Sequence, residues 1–468
     1  MHEYKLSNRL RLTAIIFMVV GGLLFAVDYF NLPKTPEEVK QLEAGHGDGH
    51  GGEAEHGETA YFTATLQEHG ASQGEHHEEV GHGEASEGGH HMTEEEHLQH
   101  TLEQYQNKPW SAIYIAAFFF FMIALGCLAF YAVQYAAQAG WSPLVLRVME
   151  GITAYLLPGS LIMLFLLFAS GVLHWNHLFH WMDPELVKEG GEHYDKIIAG
   201  KSGFLNVKGF LIRAIIFIAG WNIYRYFALK FSRKQDEAAD NRWHKKSFKA
   251  AAIFLVFFIY TESMMSWDWL MSVDPHWFST LFGWYVFAGM MVCGITVIAM
   301  VTIYLKSRGY LKEVNDSHIH DLAKFMFAFS IFWTYLWFSQ FMLYWYSNIP
   351  EEVTYFITRI EDYTLPFWGM LAMNFIFPVL LLMNSDYKRM NWFVILTGIV
   401  ILLGHYVDIF NMIMPATVGT SWSFGFVEIG ALLFFLGLFI LIVFTSLSKR
   451  PLTPKRNPLI EESKHFHY

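Results

Sequence analysis

Ten stretches of the chain are almost continuously apolar, at approximately 11–30, 110–138, 144–173, 204–230, 248–273, 281–305, 322–347, 366–385, 391–413 and 423–447. A helix rises about 1.5 Å per residue, so roughly 20 apolar residues cross a hydrocarbon layer of about 30 Å. Each window meets that length, and the pattern predicts an all-α, polytopic membrane protein of about ten transmembrane helices. The first window follows Lys5, Arg9 and Arg11, as a secretory signal would, but Ala26-Val27-Asp28-Tyr29 contains no small-x-small cleavage site. It reads as a retained anchor. Basic residues gather at the N-terminus, at 230–249, at 306–324, at Lys388 with Arg389, and from Lys449 to Arg456. Ten spans place all of these on one face, and the positive-inside rule then predicts that both termini are cytoplasmic.

Composition agrees with the pattern. Of 468 residues, 53% are hydrophobic, 18% aromatic and only 16% charged, more apolar surface than one soluble core can hide. The net charge of −11 is unevenly spread: residues 31–108 carry 17 acidic and 3 basic side chains, a net −14, leaving the remainder at about +3. No nucleic-acid partner is expected. The same loop is rich in Gly and Glu and holds eleven histidines, from His46 to His100. It has almost no apolar periodicity, so it is expected to be poorly ordered or draped over a partner. A metal-binding reading of the histidines lacks any recurring ligand spacing. The two cysteines, Cys127 and Cys293, lie mid-span and provide neither a CxxCH haem attachment nor a cluster site. They read as small buried hydrophobes.

The second to ninth windows divide into two sets of four with the same starting direction. Asp268 precedes Pro275 and Asp408 precedes Pro415, each by seven residues. The expected organisation is an anchor (1–30), an external loop (31–108), a first four-helix bundle (109–275), a second (276–415), a tenth helix (416–448) and a cytoplasmic tail (449–468). A tandem repeat of this kind keeps the same orientation, unlike inverted transporter repeats.

A charge deep in lipid costs at least about 2.5 kcal/mol on insertion scales, so buried ionisable residues usually face a bundle interior. Six candidates stand out: Arg213 near mid-span, Glu262, Asp268, His405, Asp408 and Glu428. His405 and Asp408 are three apart, on one helical face, and can share a proton. Glu262 and Asp268, six apart, point about 120° away from each other and can only be successive stations, with Ser266 between them. Arg213 is the obvious counter-charge for a carboxylate. The other reading is a set of ion pairs that fix helix register. A quinol headgroup needs donors and acceptors of the His and carboxylate type, and His174, His177, Trp267, Asp274 and His276 supply them near the outer surface. The neighbouring tryptophans equally suit an interfacial aromatic belt. A membrane haem needs two axial ligands from facing helices, and His405 is the only histidine deep in a window, so no haem is expected in this chain.

The segment from Tyr260 to Tyr285, YTESMMSWDWLMSVDPHWFSTLFGWY, with ten windows and two sets of four, resembles the second large membrane subunit (ActF type) of the alternative complex III. That family is related to the NrfD/PsrC-like quinol-interacting membrane proteins, and the resemblance covers about 105–447. It implies a bacterial inner-membrane subunit of a quinol:electron-acceptor (cytochrome c) oxidoreductase. The expected partners are an NrfD-like paralogous membrane subunit, an iron–sulfur protein, c-type cytochromes, a terminal oxidase and lipids. Haem c and iron–sulfur clusters would belong to those partners, while this subunit would offer a proton path, a quinone or menaquinone pocket, or both. The long His/Glu-rich loop departs from the family pattern. A stand-alone proton-coupled transporter and a purely structural membrane anchor remain as alternatives. Co-purifying haem proteins would separate the transporter from a complex subunit.

Overall fold

The computed structural model describes residues 4–46, 94–191 and 194–467. Among these, ten helices are long and apolar enough to cross a membrane: Asn8–Phe30, His97–Ala136, Pro143–Gly171, Val207–Glu237, Arg242–Val273, Phe282–Ser307, Asp316–Ser347, Thr364–Leu382, Asn391–Thr417 and Phe426–Leu447. No strand occurs among the described residues, and the chain is an all-α polytopic membrane protein.

The fifth span illustrates why water cannot be its solvent. Ile253, Val256 and Tyr260 are 73%, 63% and 71% exposed, while Phe254, Phe258 and Thr261 on the other face are buried. A helix apolar on its outward face is stable only against lipid. The second and sixth spans lie innermost and are almost entirely buried. The second touches the third, fifth, sixth, ninth and tenth; the sixth touches the fifth, seventh and ninth. The fourth span packs on the third and fifth, and the eighth on the seventh and ninth. The first span lies along the tenth, where a Cβ on Gly21 would stand 2.5 Å from the Phe434 nitrogen, and one on Gly430 2.6 Å from that of Phe25. Contact this close between backbones is how transmembrane helices associate when no hydrophobic effect drives them.

Two spans are broken, both four residues before a proline. Pro158 cannot donate to the carbonyl of Ala154, and the third span tightens to a 3-10 turn over Thr153–Tyr155. Pro378 stands in the same relation to Asn374, and the eighth span widens to a π-helix over Ala372–Ile376.

The long loop differs from the expectation at both ends. Residues Pro36–His46 are helical, and the helix of the second span begins at Glu94 and runs through Pro109. His50, His56, His69, His76, His77, His82, His90 and His91 lie outside the described residues, whereas His97 and His100 sit on the extended helix. Both chain ends lie on one face, called here the terminal face. There Tyr4 packs edge-on against Tyr310, and the tail crosses the helix ends through Lys455 N–H to Asp236 (2.9 Å) and the Ser463 hydroxyl to the Trp141 carbonyl (2.7 Å).

Candidate functional site: Asp408 and the cavity of the opposite face

Asp408 is buried among the sixth, seventh and ninth spans and accepts bonds from all three. Tyr285 donates its phenolic O–H to one carboxylate oxygen, and the Trp333 indole N–H donates to the other at 2.9 Å. His405, one turn back, puts Nδ1 3.3 Å from that second oxygen. Its Nε2 is buried and has no partner among the described residues. Among the described residues no arginine or lysine pairs with Asp408, and its hydrogen-bond partners are a phenol, an indole and an imidazole. A carboxylate in such company can exchange a proton with the phenol or the imidazole without first breaking a salt bridge.

The backbone places these groups. His405 follows Gly404, and a Cβ there would stand 2.2 Å from Asn374 Oδ1. Only a glycine lets the π-helical turn of the eighth span approach this closely. Asn374 is itself fully buried, and among the described residues neither of its amide atoms has a partner, nor do the hydroxyls of Ser330 and Thr296. Buried polar groups of this kind ask for water.

On the face opposite the termini lies a cavity of about 410 Å³. His100, Glu103, His177, His180, Asp274 and His276 line it, together with the buried Arg359. His276 is held by Asp195 at 2.6 Å, and Lys201 bonds the Pro275 carbonyl at 2.6 Å. Burial alone would push the Asp195 carboxyl up, but the N–H groups of Ile198 and Ile197 and the His276 ring hold it below the usual range. Burial also pulls the Lys201 ammonium down. Arg359 is 3% exposed, lies over the Tyr355 ring at 3.3 Å, and bonds the Asn411 carbonyl at 2.9 Å. A second cavity of about 20 Å³ is lined by Tyr285, Gln340, Arg359 and Asn411. That volume suffices for one water. Arg359 and Tyr355 border both spaces, so polar groups extend from the larger cavity to the Tyr285 hydroxyl on Asp408.

The other candidates fall elsewhere. Arg213 is in the second turn of its span, nearer the helix end than the middle, and grips Asp268 through Nε (2.7 Å) and Nη2 (2.9 Å) while also bonding the Phe204 carbonyl. Glu262 bonds the Ser266 hydroxyl at 3.1 Å, and no basic side chain pairs with it among the described residues. Glu428 sits in the first turn of the tenth span, accepts the Gly425 N–H at 2.8 Å and lies 3.8 Å from Lys108. That arrangement is a helix cap with a counter-ion. Of the five candidates near the surface, His177, Asp274 and His276 share the cavity, whereas His174 and Trp267 do not line it.

Several buried charges escaped the sequence reading. Arg147 and Glu150 pair at 2.9 Å near the terminal face, joined by Asp236, and Glu150 also accepts from the Ser232 hydroxyl at 2.5 Å. Their signal was present, two opposite charges three apart inside an apolar window. Arg359 gave none, because it lies on Pro350–Glu361, a helix between windows that folds back against the cavity. His318 and His320 are buried in the first turns of the seventh span, which starts six residues before its window. Asn315 caps that helix, accepting the Ser317 and His318 N–H groups while the His318 ring accepts the Asn315 N–H at 3.3 Å, and His320 bonds Ser385 at 3.0 Å. No protein-family model matches this chain, and no curated protein matches it.

Proposed function

We propose that this chain is a membrane subunit of a quinol-oxidising respiratory complex and carries protons between the cavity opposite the termini and the Asp408–His405 pair. The observation that carries this reading is the environment of Asp408: a buried carboxylate with a phenol, an indole and an imidazole, and a polar route from Tyr285 past Arg359 to the cavity. Beyond His405, whose Nε2 is open, the buried and unpartnered polar atoms of Asn374, Ser330 and Thr296 are where ordered water could continue such a path. In this reading the basic terminal face is cytoplasmic, the membrane is the bacterial inner membrane, and electrons pass through iron–sulfur and c-type haem partners. The resemblance of Tyr260–Tyr285 to the alternative complex III subunit supports that assignment.

Asp268 has a different part. Its bidentate pair with Arg213 makes it a fixed charge, so the two aspartates of the sequence repeat divide between holding the fourth and fifth spans together and moving protons. The test is Asp408→Asn in the intact assembly reconstituted in vesicles: assembly stays normal while proton movement per electron, or turnover, falls at least about tenfold. Unchanged proton movement removes Asp408 from the path, and a protein that purifies without stoichiometric haem partners favours a transporter.

A second reading rests on the cavity itself. Its volume is within the range of small-molecule sites, and His177, Asp274 and His276 offer the donors and acceptors a quinol headgroup needs. They fit the headgroup better than the isoprenoid tail, since the lining is predominantly polar. A photoreactive quinone that labels residues 273–276 would support it, and labelling confined to another subunit would dismiss it.

A further inference from the structure

We propose that the cleft between the first, third and tenth spans at the terminal face binds an anionic phospholipid. This site is independent of the proton path. The cleft has a volume of about 720 Å³. Its walls are apolar, from Leu6, Leu441, Ile442 and the Ala154 methyl group. It also carries three cations, Arg11, Lys449 and Arg450, with Thr445 and Ser446, and no carboxylate among the described residues lines it. Arg450 is 3.8 Å from Glu150, but neither Arg11 nor Lys449 has an ion-pair partner among the described residues.

The shape has a local cause. Ala154 is the middle residue of the 3-10 turn imposed by Pro158, so the third span narrows and recedes where the cleft needs room. Arg11 stands in the first turn of the first span and Lys449 follows the end of the tenth. Both charges therefore lie at headgroup depth, with the apolar walls running inward where acyl chains would go. A soluble anion would use the cations and leave the walls wet; a zwitterionic lipid would use the walls but bring a cation of its own to meet those three. An anionic phospholipid satisfies both, and each surface cation contributes about fivefold to its binding.

The experiment is native mass spectrometry of the full-length protein titrated with phosphatidylglycerol or phosphatidylcholine. Retention of phosphatidylglycerol over phosphatidylcholine is expected, weakened at least about tenfold in Arg11→Gln/Lys449→Gln. Ala154→Trp, which fills the cleft without touching charge, should lower retention of the same lipid. Gel filtration and circular dichroism establish that each variant is folded, and the two variants act through different groups. Equal retention of the two lipids, unchanged retention in both variants, or displacement by millimolar inorganic phosphate would each overturn the proposal, the last by making this a free-anion site.

Discussion

Arg213 on the fourth span holds Asp268 on the fifth through two hydrogen bonds of 2.7 and 2.9 Å, and the Asp268 side chain is wholly enclosed. Removing one partner of such a pair leaves the other uncompensated, which costs about 3 kcal/mol or more. Asp268→Ala should therefore lower thermal stability in detergent far more than Asp195→Ala in the loop opposite the termini. Removing both charges, as Arg213→Met/Asp268→Leu, should recover most of the loss. A double variant no more stable than the single would mean that the pair does not act as a unit.

Among the described residues, the Tyr285 hydroxyl is one of two donors that reach Asp408 from outside its own helix. Tyr285→Phe keeps the ring and removes only the proton carrier, so proton movement should fall while assembly and melting temperature change little. Trp333→Phe removes a donor that cannot relay protons and should cost less activity. Equal losses in the two variants, read as proton uptake by vesicles, would argue that both residues merely orient the carboxylate.

Gly404 has no room for a side chain, because Asn374 Oδ1 occupies the position 2.2 Å from where a Cβ would sit. Gly404→Val should destabilise by about 2 kcal/mol through overpacking and displace His405. A Cβ on Gly369, one helical segment earlier on the eighth span, would meet nothing within 4 Å among the described residues, and Gly369→Ala should be neutral or slightly stabilising. Thermal melts of the two variants side by side check the contrast.

Asp195 caps a short helix and holds His276, and these bonds keep its carboxyl below the ordinary range. A carboxyl lowered in the folded state contributes stability above its unfolded value and loses it as pH falls through the folded one. Wild type should thus be more stable than Asp195→Asn at neutral pH, with the gap closing as pH falls below the ordinary carboxylate range. A gap independent of pH, measured by melting temperature, would show that charge is not what Asp195 contributes.

The ten spans and the all-α class were legible because crossing a membrane imposes a length and an apolarity that local sequence cannot hide. The six ionisable candidates were found by the same logic, since a charge within an apolar window is conspicuous. Glu428 shows the limit of that logic: it sits in the window of the tenth span yet serves as its cap.

What the chain's order of residues determined alone was which segments enter the bilayer, which face collects the cations, and that His405 and Asp408 share a side of one helix. Those properties depend on periodicities of a few residues. Tertiary structure decided that Asp268 meets an arginine while Asp408 meets Tyr285 and Trp333, that Arg359 from a helix between spans lines the cavity, and that Asn374 approaches Gly404. These contacts join positions tens to more than a hundred residues apart. Which side chains meet at such separations follows from how helices pack, and two aspartates that look equivalent in sequence thereby acquire different chemistry.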